Sequence, residues 1–164
     1  MIKIILTDGS TRNYNDPISV IDIAKDISEG FARNVISAKF NNKTVETSTI
    51  IKSDGNLTMY TWKDQNGKKA FWHSTSHVLA QALEQLYPGI KLTIGPAIEN
   101  GFYYDVDLEE NIISEKDFQS IENRMLEIAR EKHDFNMRFV SKSDALKKYK
   151  NEGNQYKLEL IENL

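Results

Sequence analysis

The chain has 164 residues, 40% of them hydrophobic and 27% charged, with a net charge of −3 and no cysteine. That length and composition fit one ordinary domain or two small ones with real cores, not a disordered chain. Disulfides, thiolate metal clusters and cysteine nucleophiles within the chain are excluded, and there is no global basic signal for nucleic acid or an anionic membrane.

Ile2–Leu6 is an apolar, β-prone run. Thr7-Asp8-Gly9-Ser10 then supplies turn chemistry, and Thr11–Tyr14 can return as the second strand of a hairpin. Aspartate at position 8 comes too early for the apolar core of a signal peptide, and no apolar run approaches the ~18 residues that span a membrane. A soluble cytoplasmic protein is expected. Ser19 is placed as a helix N-cap with Asp22 in the first turn. Val20, Ile23, Ala24 and Ile27 share one face of that helix, and Gly30 is a candidate stop. Val35–Phe40, Lys43–Val45 and Leu57–Trp62 follow as strands, separated by turns at Asn41-Asn42 and at Ser53–Asn56. The order β-β-α-β-β-β predicts a β-grasp, ubiquitin-like sheet over one helix for residues 1–62.

The polar stretch Lys63–Lys69 reads as a linker, so a second domain is expected over residues 63–164. It opens with a helix from Ala70 to about Tyr87, ended by Pro88-Gly89. Lys91–Ile98 and Phe102–Leu108 read as strands around a turn at Glu99-Asn100-Gly101. Ser114 with Asp117 caps a long helix to about Lys132, with Phe118, Ile121, Met125, Ile128 and Ala129 on one stripe. Phe135–Val140 alternates like a strand, Ser143–Tyr149 reads as a short helix and Tyr156–Leu160 as a last strand. Acidic and basic residues balance in residues 1–62, so the acidic excess lies beyond. Against that excess stands one local basic cluster, Lys142, Lys147, Lys148 and Lys150.

Two of the three histidines, His73 and His77, are four apart on the predicted helix, so both rings can address one point. Three readings stay open. The pair could be half of a zinc site, although two ligands rarely suffice and Ser74 stands where a metalloprotease helix carries its glutamate. It could move protons or hold a water, since histidine titrates near neutrality. It could also be two polar side chains on a surface. The third histidine, His133, sits at another helix end, where a solvated cation is expected.

The order of these segments carries more. A hairpin turn Thr7-Asp8-Gly9-Ser10 comes first, then His73-Ser74-Thr75-Ser76-His77. Ile94-Gly95-Pro96 and Asn100-Gly101-Phe102-Tyr103-Tyr104-Asp105 follow. In this order the chain resembles the N-terminal half of bacterial-type threonyl-tRNA synthetases over its whole length. The resemblance implies an α+β fold: a TGS domain of β-grasp type at 1–62, then the N-terminal part of an editing domain at 63–164. In that family the editing domain hydrolyses seryl-tRNA. The site is built on His-x-x-x-His and a later Cys-x-x-x-His. By resemblance His73 and His77 match the first pair and would be catalytic. Tyr104 and Lys157 fall beside the same pocket as substrate-binding residues.

The chain has no Cys-x-x-x-His, no ATP-binding core and no anticodon-binding domain. It is therefore expected to be an N-terminal fragment that cannot aminoacylate and that edits weakly or not at all. ATP, magnesium and zinc belong to the parent's aminoacylation domain, and no metal ligand is expected here. The resemblance further implies threonine tRNA as partner, no membrane, a homodimer through the parent's catalytic domain, and a monomeric fragment. Two rival readings are a non-catalytic β-grasp regulatory module and a free-standing zinc-dependent editing hydrolase. The chain lacks the G-x-x-x-x-G-K-[ST] phosphate loop, so it is not itself a GTPase.

Overall fold

The computed structural model describes residues 1–133 and 138–164. They form two compact units, Met1–Phe71 and Trp72–Leu164.

In the first unit β1 (Ile2–Leu6) and β2 (Thr11–Tyr14) make an antiparallel hairpin. The turn between them is held by the Asp8 carboxylate, which accepts from the Ser10 amide at 2.9 Å and its hydroxyl at 2.6 Å. β3 (Ile18–Ser19) leads into α1 (Val20–Ile27). Ser19 is the N-cap, as its position predicts: its Oγ accepts from the Asp22 amide at 3.1 Å and donates to the Asp22 carboxylate at 2.5 Å. The stop is Ser28, not Gly30. Ser28 leaves α1 in an extended conformation and its Oγ accepts from the Phe31 amide, starting α2 (Glu29–Ala32), which contains Gly30. A serine side chain that can cap a new turn ends the helix before the glycine is reached.

β4 (Val35–Phe40) and β5 (Lys43–Val45) pair across Asn41 and Asn42, both at positive φ. β6 (Ile50–Ile51) pairs with β3, and β7 (Gly55–Thr61) completes the sheet. Its order is β2-β1-β7-β4-β5, with β1 and β7 parallel and the other pairs antiparallel. Even positions of β1 (Ile2, Ile4) turn inward to meet Val20 and Ile23 of α1, with Ala38, Ile51 and Leu57 closing the core. This is the expected β-grasp. The two-residue pair β3–β6 carries no sequence signal of its own.

The stretch expected as a linker is a turn and then the start of α3 (Gln65–Leu86). The Thr61 amide and hydroxyl donate to the Asp64 carboxylate at 2.7 and 3.0 Å, and the Lys68 amide reaches the Asp64 carbonyl. A Cβ on Gly67 would lie 2.0 Å from the Thr61 carbonyl oxygen, so only glycine lets this turn pass so close. The division between the units falls inside α3, between Phe71 and Trp72.

In the second unit the expected long strands are fragments: β8 (Lys91–Leu92), β9 (Ala97–Ile98), β10 (Gly101–Phe102) and β11 (Val106–Asp107). β9 pairs with β10 around Glu99-Asn100, and β8 with β11. A 3₁₀ turn (Glu115–Asp117) opens α4 (Phe118–Glu131), and both the amide and the hydroxyl of Ser114 donate to Asp117 at 2.8 Å. Lys132 ends α4 in the left-handed region. Half of the predicted strand Phe135–Val140, residues 135–137, lies outside the described residues, and Arg138–Val140 have no regular structure. α5 (Lys142–Asn151) follows its N-cap Ser141.

The predicted last strand at Tyr156–Leu160 is instead a helix, α6 (Gln155–Glu162). Asn154 caps it, accepting from the Lys157 amide at 3.1 Å. Asn154, Lys157, Leu158 and Ile161 are partly buried at the spacing i, i+3, i+4, i+7, and Tyr156 is partly buried beside them. The core of this unit gathers Ala80, Leu83, Ile90, Leu92 and Ile121, with Tyr104 and Met125 packed against it.

Candidate functional site

The middle of α3 supplies two histidines. His73 and His77, one helical turn apart, bring their Nε2 atoms to 3.2 Å with the rings edge to face at 87°. At that separation an Nε2–H on one ring can donate to the Nε2 lone pair of the other, the direction depending on the tautomers. Burial, then the charges of His73 and Lys157, hold the His77 imidazole below its usual 6.5. Its neutral, basic form therefore prevails at physiological pH.

Lys157 reaches this place from α6. Its Nζ donates to the Thr93 carbonyl, and burial depresses its ammonium below the usual 10.5, offset in part by Glu84. Tyr104 stands beside them in the segment between β10 and β11. Burial raises its phenol above 10, helped by the charges of Glu84 and Tyr149. Its ring fills the space over Gly95, where a Cβ would come within 2.2 Å of the ring carbons. His73, His77, Tyr104 and Lys157 thus belong to one neighbourhood of the second unit. His133 does not enter such a set: it lies beyond α4 and hydrogen-bonds Glu131 at 2.6 Å.

Three contributors lie outside the sequence expectation. Ser76, fully buried between the histidines, points its Oγ at the carbonyls of His73 (2.7 Å) and Gly95 (2.8 Å). It ties α3 to the Thr93–Pro96 segment. A serine between two polar neighbours gives no such sign in the sequence, although its place four residues before Ala80 on the buried side of α3 does. Glu84 lies two turns below His77 on the same helix face and acts on both Tyr104 and Lys157. Tyr149 comes from α5, far along the chain.

Among the described residues, no third His, Asp or Glu joins the pair in a set that could hold a metal. A protein zinc site takes three or four ligands, so these residues do not fit one by themselves. The arrangement offers an imidazole pair able to take up and pass one proton, with the Lys157 ammonium and the Tyr104 phenol in the same neighbourhood. That is a set suited to holding a water against a polarised carbonyl.

Comparison with known proteins places these features. The TGS domain family matches residues 2–61. The whole chain is 65% identical over 164 residues to the threonine-tRNA ligase of Flavobacterium johnsoniae, 49% to that of Cytophaga hutchinsonii and 45% to that of Clostridioides difficile. In each case the alignment takes in all of this chain but only 25–26% of the relative, so the chain spans about a quarter of their length. From its TGS domain to its last helix, the chain belongs to the threonine-tRNA ligase family and corresponds to the N-terminal region of those enzymes.

Proposed function

We propose that this chain is part of the proofreading region of an enzyme that joins threonine to its tRNA using ATP, and that it supplies the His73–His77 half of the site that removes serine wrongly attached to that tRNA. Serine lacks one methyl group of threonine. A missing methyl in a pocket is worth only about 1–3 kcal/mol, too little for faithful translation, so a second hydrolytic site is needed. The observation that carries the reading is the His73–His77 pair at 3.2 Å, with Lys157 and Tyr104 beside it, in a chain 65% identical to a threonine-tRNA ligase.

The bond to be cut is the ester between the serine carboxyl and a ribose hydroxyl at the 3′ end of the tRNA. Water adds to the ester carbonyl, and the ribose oxygen leaves with a proton. His77, kept neutral, accepts the proton of the attacking water. The bridging hydrogen between the rings lets His73 return a proton toward the leaving ribose oxygen. Lys157 offers a positive charge for the ester carbonyl or a neighbouring phosphate, and Tyr104 a wall and a hydroxyl for the terminal nucleotide.

The test is single-turnover deacylation of seryl-tRNA by full-length threonine-tRNA ligase carrying this N-terminal sequence. Replacing both His73 and His77 with alanine is expected to slow clearance by about 10²-fold or more while threonine charging persists. Unchanged clearance would remove the histidines from the mechanism.

A further inference from the structure

The basic cluster in the sequence acquires a geometry in α5. On a helix Ala145, Leu146 and Tyr149 fall within one arc and Lys147, Lys148 and Lys150 within the opposite one. Exposure follows that division: the first three are partly buried and the three lysines exposed. Tyr149, on the inner arc, comes near enough to Tyr104 of the candidate site to contribute, after burial and Glu84, to raising its phenol's pKa. Lys148 has Glu152 at 3.7 Å, while Lys147 and Lys150 have no ion-pair partner among the described residues. Lys142, one turn earlier, donates its ammonium to the Glu162 carbonyl at 3.1 Å and ties α5 to α6, the helix that carries Lys157. The rest of the chain is acidic on balance, so this face is a local positive surface. A helix is only about 10–12 Å across. Its lysines therefore stand within a short span of backbone from whatever occupies the site under Tyr149.

We infer that Lys147, Lys148 and Lys150 form a phosphate-binding face that receives the sugar-phosphate backbone of a nucleic acid whose 3′ end enters the His73–His77 site. The inference rests on the hydrolytic reading above for the direction of the strand, but binding can be read without catalysis. A polyanion is the occupant the charge fits. Three exposed ammonium groups in a row, two of them unpaired, match the repeat of phosphates along one strand and select no base, because lysine reads phosphate as a point charge.

The experiment uses full-length ligase with K147Q, K148Q and K150Q together. A control carries the same charge change at exposed lysines of the first unit, K3Q, K43Q and K52Q. Two readouts are taken: binding of uncharged threonine tRNA across a series of salt concentrations, and seryl-tRNA deacylation resolved into KM and kcat. The expected result is a binding loss of tenfold or more in the α5 variant. Its log K against log salt should be shallower by about 2, the value for three contacts to a single strand. KM should rise, kcat should hold, and the control should stay near wild type. Equal losses in the control, or an unchanged salt slope in the α5 variant, would overturn the proposal. Weaker, less salt-dependent binding in the α5 variant supports the face even where wild-type enzyme clears no serine. In that case it is the hydrolytic reading that fails.

Discussion

His77 shows how far one side chain's chemistry is set by its neighbours. Burial comes first among the causes that lower its pKa, and the nearby His73 and Lys157 add to it. Replacing Lys157 with methionine removes a positive charge at similar length, so the His77 midpoint, followed by proton NMR of its ring, is expected to rise toward 6.5. A midpoint that stays or falls would show that Lys157 does not act on it. The sign for stability follows from linkage. A histidine whose folded pKa lies below its unfolded 6.5 contributes fully above 6.5, and its contribution is lost as pH falls from there to the folded value. Mild acid below pH 6.5 is therefore expected to loosen the second unit, with a smaller effect in His77→Gln. Gly95 is the other sensitive position. Gly95→Ala drives a methyl into the Tyr104 ring, at a cost of about 1–3 kcal/mol in a denaturant titration. Combining it with Tyr104→Ala should return part of that cost, since the two changes share one space.

The elements differ in how openly the sequence announces them. The strands of the first unit were legible because runs such as Ile2–Leu6 are apolar and β-prone and short turn signals separate each run. Ser19 and Ser114 were legible as caps for the same local reason. Lys91–Ile98 misleads because its β-prone residues are only half the requirement of a strand. The Thr93 carbonyl is taken by the Lys157 ammonium, the Gly95 carbonyl by the Ser76 hydroxyl, and Pro96 has no amide to give. These donors come from helices remote in sequence, and no local pattern encodes them. Tyr156–Leu160 fails differently. Tyr-Lys-Leu-Glu-Leu alternates as a strand would, but Asn154 captures the Lys157 amide and commits the segment to a helix. Asn154→Ala is accordingly expected to cost about 1 kcal/mol and to slow seryl-tRNA clearance, because it loosens the helix that presents Lys157. Stability with unchanged clearance would separate α6 from the site. The histidine pair itself was legible from its spacing, whereas Glu84 and Tyr149 enter through tertiary packing alone.

At the scale of the whole chain the two units are built to different standards. The first has a five-stranded sheet over a helix, with β4 and β7 paired from Val35 to Phe40. The second has ladders of two residues and leans on helices for its core. Amide hydrogen exchange is expected to be slowest at Ala38 and Leu57 and markedly faster around Leu92 and Val106, as measured by NMR or mass spectrometry on the intact protein. Equal protection in both units would contradict this. The side-chain capture of the Thr93 and Gly95 carbonyls has one more effect. An open strand edge recruits strands from other molecules, and its unpaired carbonyls are what a stray chain would join. By filling them from Lys157 and Ser76, the protein keeps that stretch of edge from serving as a seed for aggregation. The same two bonds that draw the candidate site together also leave this stretch with fewer free carbonyls for a stray strand to join.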